Sequence, residues 1–188
     1  KGVNMALSTI GTNSLADSAV TAAKSSGLGK ILAIYQDGGT AQYATTTDNS
    51  ASFTDVSNSA ITLTPASSSS KFWLSWNTWG NNLSGASQAL NVDLDFKRAI
   101  SGGTTTEKIV QATIAEGAGR RYQYDNRTDD LAGINYLNVG MAITFLDSPS
   151  TASAITYTPQ FSKNQWAGTS GTSMGVYEGM FQIMEFSG

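Results

Sequence analysis

The sequence has no cysteine and no histidine in its 188 residues. Without cysteine, the chain can form no disulfide bond and no thiolate metal site. Without histidine, it lacks the side chain that serves most often as a general base and as a metal ligand. Because no activated serine context is present either, we predict that the protein is not an enzyme and that it uses no cofactor and no metal.

Charged residues are also scarce: Asp, Glu, Lys and Arg make up 13% of the chain, roughly half of the usual share. The net charge of −3 argues against a nucleic-acid partner, which requires a basic patch. No apolar run approaches the roughly 18 residues of a membrane-spanning helix. We therefore expect neither nucleic acid nor a membrane as a partner.

The chain does contain 19 glycines and many serines, threonines and asparagines, with few lysines and glutamates. This composition leaves few strong helix formers and favours strands joined by polar, uncharged loops. The length suits one domain with a sizeable core. The predicted fold class is therefore all-β.

The stretch Ile61–Trp79, ITLTPASSSSKFWLSWNTW, contains two strand patterns separated by a polar turn. Alternation of apolar and polar residues before and after the turn indicates strands with one buried face. Pro65 cannot donate to a strand ladder, and the serine run that follows cannot form a core. We predict a hairpin or a corner where the chain crosses between sheets, with Phe72, Leu74 and Trp76 facing inward.

Further strand patterns follow at short intervals along the chain. Residues 31–35 form a continuous apolar run, which predicts a strand covered on both faces. The cleanest alternation places Asp93, Asp95 and Lys97 on the solvated side of a strand. Short strands separated by polar turns are typical of a β-sandwich or jelly roll. The predicted strands are 31–35, 41–47, 52–56, 61–64, 71–77, 90–97, 108–114, 120–123, 139–145, 155–161 and 180–186.

Residues 1–30 differ from the rest of the chain. Ser14 and Asp17 have the spacing of a helix capping box, and Gly27 suits a helix end. We divide the chain into an N-terminal arm, residues 1–30, and a jelly-roll domain, residues 31–188. The arm is either an ordinary N-terminal cap or a segment that docks on a partner.

A few residues have the side-chain chemistry of catalytic or ligand-binding sites. Asp93 and Asp95 have the spacing of paired carboxylates on one strand face, which a depolymerase or a calcium site would use, but a solvated outer face explains them better. The loop Asp125–Asp130 is rich in oxygen ligands yet lacks the EF-hand pattern. Exposed aromatic residues can stack on sugar rings, although aromatic residues on strands more often pack in a core or interface. The candidate ligand-facing aromatics are Trp79, Tyr124 and Trp166.

Three separated motifs resemble a family of bacteriophage virion proteins common in marine and cyanobacterial phages. They are ITLTPASSSSKFWL (Ile61–Leu74), ITFLDSPSTASAITYTPQF (Ile143–Phe161) and FQIMEF (Phe181–Phe186). The resemblance covers roughly residues 28–188. It implies a jelly roll similar to the tumour-necrosis-factor-like heads, assembled as a homotrimer with its last strand near the threefold axis. Candidate residues for the trimer interface are Phe181, Ile183 and Met184.

Members of this family are usually described as tail-fibre or other structural proteins of the virion. Fibre proteins carry a long repetitive shaft, whereas about 30 residues precede the strand-rich part of this sequence. The expected function is therefore a capsid decoration (cement) protein on the outer surface of the virion, bound to the major capsid protein or to other virion proteins. The alternative is a trimeric receptor-binding protein at the tail, which would recognise a host surface glycan.

Overall fold

The computed structural model describes residues 30–37, 43–46, 52–56, 58–82, 90–110, 120–124, 138–165 and 174–188. These residues form two antiparallel sheets, so the predicted all-β class is confirmed. Among them, no helix is long and apolar enough to span a membrane. The predicted arm lies outside the described residues except for Lys30.

Eleven strands occur in the described part of the chain, and all pair antiparallel. Their bounds are β1 (Ile31–Gln36), β2 (Tyr43–Thr46), β3 (Thr54–Asp55), β4 (Ile61–Leu63), β5 (Lys71–Asn82), β6 (Leu90–Ile100), β7 (Thr105–Thr106), β8 (Arg120–Tyr124), β9 (Asn138–Asp147), β10 (Ile155–Gln165) and β11 (Met174–Phe186).

We call the two sheets sheet A and sheet B. Sheet A has the order β1-β11-β5-β9, with β2 also paired to β11. Sheet B has the order β3-β10-β6-β7, with β4 also paired to β10 and β8 to β6. The weak strands predicted at 41–47 and 52–56 therefore belong to different sheets.

The core lies between the sheets. Phe72, Leu74 and Trp76 of β5 are completely buried, as the alternation predicted. Aromatic rings meet across the core, with Phe96 of sheet B stacked on Phe181 of sheet A at a centroid distance of 5.4 Å. The alternating residues of β9 and β10 are also buried: Met141, Ile143, Phe145, Ile155, Tyr157, Pro159 and Phe161. Since every second residue of these strands is apolar, one face of each strand enters the core.

The predicted corner at Ile61–Trp79 carries the chain from one sheet to the other. Its first strand, β4, lies in sheet B, and its second, β5, lies in sheet A. The backbone N–H of Ser70 donates to the carbonyl of Ser67 (3.1 Å), which tightens the serine turn. The carboxylate of Glu185 in β11 accepts a hydrogen bond from the N–H of Ala66 (2.7 Å). The corner is thus held by a buried acid on the last strand.

A polar cluster joins the two sheets at one end of the core. Arg98 Nη1 of β6 donates to both carboxylate oxygens of Asp147 in β9, at 2.7 and 2.9 Å. The hydroxyl of Tyr157 in β10 donates to Asp147 Oδ2 (2.7 Å). Burial and the adjacent Asp147 carboxylate raise the pKa of Tyr157 far above its usual value.

The prediction that Asp93 and Asp95 lie on a solvated face was wrong. Asp95 is completely buried, and its Oδ1 accepts hydrogen bonds from the N–H groups of Phe96 (2.7 Å) and Val110 (2.9 Å). Alternation places these acids on the outer side of β6, as predicted, but the chain after β6 returns over that side. The strand predicted at 108–114 was also wrong where it is described, because Ile109 and Val110 have helical backbone and are buried.

The apolar run 31–35 forms β1, but within one chain only its inner face is covered. Tyr35 lies toward the core, beside Ile183 of β11. Ile31, Leu32 and Ile34 are exposed. Within a single chain, the prediction of a strand covered on both faces is therefore wrong.

Candidate functional site

Exposed large apolar residues are concentrated on one side of the sandwich. Within the described part of the chain, every one of them belongs to sheet A. They are Ile31, Leu32, Ile34, Trp73, Trp79, Leu146 and Met180. We call the surface of sheet A that points away from the core its outer face.

The strand register aligns four apolar residues in one row across the outer face. Ile34 of β1 is paired with Met184 of β11, Met184 with Trp73 of β5, and Trp73 with Leu146 of β9. Their neighbours in sequence, Ile183 and Phe72, point into the core. At a strand spacing of about 4.8 Å, the row spans roughly 14 Å. Ile34 is 63% exposed and Leu146 is 50% exposed, so this row faces solvent in the single chain.

The next row is polar but uncharged. Gln182 Nε2 of β11 donates to Gln36 Oε1 of β1 (3.0 Å), and Gln182 is paired with Ser75, which is paired with Thr144. Because these amides and hydroxyls carry no net charge, desolvating them costs far less than desolvating ions.

Two further rows combine apolar and small side chains with the amide of Asn77. Met180 is paired with Asn77 and Asn77 with Ala142. Trp79 is paired with Gly140, and its ring atom Cζ3 lies 4.0 Å from the position that a Cβ at Gly140 would occupy. The glycine thus leaves room for the indole of Trp79, a residue that is 55% exposed.

None of the described side chains in these four rows is charged. Rows with tryptophan and methionine and without charge have the composition of an interface core, and a charged side chain, the exposed Lys71, lies in the row beyond them, paired with Phe186. Contiguous exposed apolar patches on soluble proteins mark interaction sites. The outer face of sheet A is therefore the candidate functional site, and the chemistry it supports is association.

The structure places the predicted trimer-interface residues on opposite sides of β11. Phe181 and Ile183 are 0% exposed within the single chain, so they belong to the core and have no surface left for a neighbour. Met184 points outward in the row with Trp73. Alternation along the strand could have separated the three residues, because odd and even positions face opposite ways.

The structure describes the strands of two of the three predicted ligand-facing aromatics and puts these two on different sheets. Trp79 lies on sheet A, whereas Tyr124 ends β8 in sheet B. Trp166 and the loop Asp125–Asp130 lie outside the described residues. The structure leaves Trp79 as part of the outer face of sheet A.

The carboxylates considered for catalysis form no open cleft. Asp95 is used to hold backbone amides, and Asp93 is buried on the same side of β6. Within the described residues, no group of three acidic, histidine or cysteine side chains is placed to hold a metal ion.

Comparison of the sequence with known proteins gives no family assignment. No protein-family model matches the chain, and no curated protein matches it.

Proposed function

We propose that this protein is a non-enzymatic bacteriophage virion protein that assembles as a homotrimer through the outer face of sheet A. The observation that carries the proposal is the row Ile34–Met184–Trp73–Leu146, which a single chain leaves in water. A second copy is the partner that fits, because the uncharged rows allow copies of an acidic chain to meet without opposing like charges.

The strand pairing supports a jelly roll within this proposal. β1 pairs with β11, β4 with β10, β5 with β9 and β6 with β8, so that each pair is nested inside the one before it. Nested antiparallel pairing distributed over two sheets is the arrangement of a double Greek key. The three phage-like sequence motifs lie on β4–β5, β9–β10 and β11, of which β5, β10 and β11 are central strands of the two sheets.

On the virion, we infer the role of a capsid decoration protein. A trimer that contacts several capsid subunits binds the assembled shell but not its free subunits, and it therefore stabilises the shell by mass action. Residues 1–30 are the proposed anchor to the major capsid protein or to a neighbouring trimer. The low charge of the chain suits dense packing of many copies on one surface.

Quantitative mass spectrometry of purified particles tests this role. The expected result is a copy number of the same order as that of the major capsid protein. A few copies per particle would instead favour the tail-associated, receptor-binding alternative. Absence of the protein from washed particles would overturn both virion roles.

A further inference from the structure

An open depression lies on the side of the sandwich opposite to the outer face of sheet A. Its volume is about 480 Å³, and its lining comes from β3, β6, β10 and the segment before the helical turn at Ile109. The side chains that matter for its chemistry are Phe53, Asp55, Lys97, Glu107, Lys108 and Gln160.

Gln160 stands at the centre of this lining and is 98% buried. Its Nε2 donates to Asp55 Oδ1 (2.7 Å) and to Glu107 Oε2 (2.5 Å), so both amide protons are used. Its Oε1 has no hydrogen-bond partner. A buried acceptor without a donor is unfavourable, and this one lies in a side chain that lines the depression.

The charges around Gln160 are balanced. Lys97 forms an ion pair with Asp55, and the ammonium of Lys108 lies 5.0 Å from the centre of the Phe53 ring. Two carboxylates, two ammonium groups, one amide and one aromatic ring therefore line the depression, and the Lys108 ammonium lies over one face of that ring. The depression offers hydrogen-bond donors and acceptors of both kinds with no net charge.

We propose that this depression binds a neutral sugar unit. Each sugar hydroxyl both donates and accepts, so adjacent hydroxyls can donate to Glu107 and accept from Lys97. The C–H face of a sugar ring is apolar and suits contact with Phe53. An anionic ligand would have to approach two carboxylates, and a metal ion would have to displace the Lys97 ammonium from Asp55.

This inference goes beyond the proposed assembly role and does not depend on it. The depression is on sheet B, so it stays open when the outer face of sheet A is covered by another copy. It also differs from the glycan site predicted at Trp79, Tyr124 and Trp166, because the structure puts Trp79 on the opposite sheet.

Saturation-transfer NMR on the full chain tests the proposal, with glucose, galactose, mannose and N-acetylglucosamine as neutral probes and glucuronate as the anionic probe. We expect transfer to at least one neutral sugar and weaker transfer to glucuronate. Phe53→Ala and Glu107→Ala should each weaken binding about tenfold or more, which is the effect of losing one good contact. Trp79→Ala, which changes an exposed aromatic of sheet A, should leave the signal unchanged.

Three outcomes would overturn the proposal: no transfer to any neutral sugar, stronger binding of glucuronate, or loss of binding in Trp79→Ala with retention in the two pocket variants. Glu107 is exposed, so Glu107→Ala is expected to fold normally. Its effect on sugar binding therefore tests the proposal even if Phe53→Ala does not fold. An unchanged thermal transition of each variant is the control for folding.

Discussion

At the scale of single residues, Asp147 links the two sheets through one carboxylate. It is almost completely buried and binds Arg98 and Tyr157, both on sheet B. Removing one partner of a buried ion pair leaves the other charge without compensation, which costs more than the pair itself contributes.

Asp147→Ala is therefore expected to lower the free energy of unfolding by about 3–5 kcal/mol. Tyr157→Phe removes one hydrogen bond but keeps the ion pair, so we expect a smaller loss of about 1.5 kcal/mol. Urea unfolding of both variants and of the unchanged chain measures these differences in the free energy of unfolding. Equal stability of Asp147→Ala and the unchanged chain would contradict the assigned role of the cluster.

Two tyrosines make the stability of the fold sensitive to alkaline pH. Burial, followed by the charge and hydrogen bond of Asp147, raises the pKa of Tyr157, and burial followed by the influence of Glu185 raises the pKa of Tyr35. The unfolded chain releases phenolic protons near pH 10, whereas the folded chain keeps these two protons to higher pH. The folded state then binds more protons than the unfolded state, so stability falls as pH rises.

The free energy of unfolding should be nearly unaffected by these groups below about pH 10 and should decline above it. Urea midpoints measured from pH 8 to pH 11 test the direction. The decline should be shallower in Tyr157→Phe, which has no phenolic proton at this position. A decline of the same steepness in this variant would show that Tyr157 is not its source.

Among the elements of the fold, β7 extends sheet B beside β6, and residues 107–110 after it return over the outer side of the sheet. The carboxylate of Asp95 holds this segment by accepting a hydrogen bond from the N–H of Val110. Two side chains of the segment, Ile109 and Val110, are themselves buried. The segment turns at Gly102, whose φ of +70° suits a residue without a Cβ. The buried acid is thus a structural support for the segment that contributes Glu107 and Lys108 to the depression.

Asp95→Ala should loosen this segment, because two buried amides lose their acceptor at a cost of about 1–3 kcal/mol each. The expected result is faster hydrogen exchange at Val110 than in the unchanged chain. Asp95→Asn is the matched control, since its amide oxygen can still accept, and its exchange should be nearly normal. An unchanged hydrogen-exchange rate at Val110 in Asp95→Ala would show that Asp95 does not hold the segment.

The strands with one buried face were predictable from sequence, because alternation in β5, β9 and β10 is local information. The position of Asp95 was not, because alternation tells which way a side chain points but not what covers that side. The pairing that aligns Ile34, Met184, Trp73 and Leu146 joins residues far apart in sequence. Two features of the sequence pointed to this apolar row: the tryptophans on the outward side of β5 and the unbroken apolar run of β1.

At the scale of the whole molecule, the two surfaces of the sandwich differ in character. Four rows of the outer face of sheet A carry no charge, although Lys71 is exposed in the row beyond them, whereas sheet B is overlaid by further chain and carries a charged depression. This division predicts that association and ligand contact use opposite sides of the fold.

Trp73→Glu should break the assembly, because it places a charge in the centre of the apolar row. Trp73 is 37% exposed in the single chain, so the change also removes some packing within the monomer, and a moderate loss of monomer stability is expected beside the loss of assembly. Sedimentation velocity should show the variant as a monomer, and a cooperative thermal transition, at a lower temperature than that of the assembled chain, should show that the monomer is folded. Ala152→Glu adds the same charge on the exposed loop between β9 and β10 and should leave the assembly intact; disruption by both changes would point to general charge repulsion.

Assembly through the outer face of sheet A is tested by the mass of the unchanged chain in solution, measured by sedimentation equilibrium over a range of dilute concentrations. A homotrimer predicts a single species with three times the 19.7 kDa mass of the chain. A monomer throughout that range would contradict the assignment of the outer face of sheet A as a subunit interface. A dimer would keep the interface and contradict the trimer.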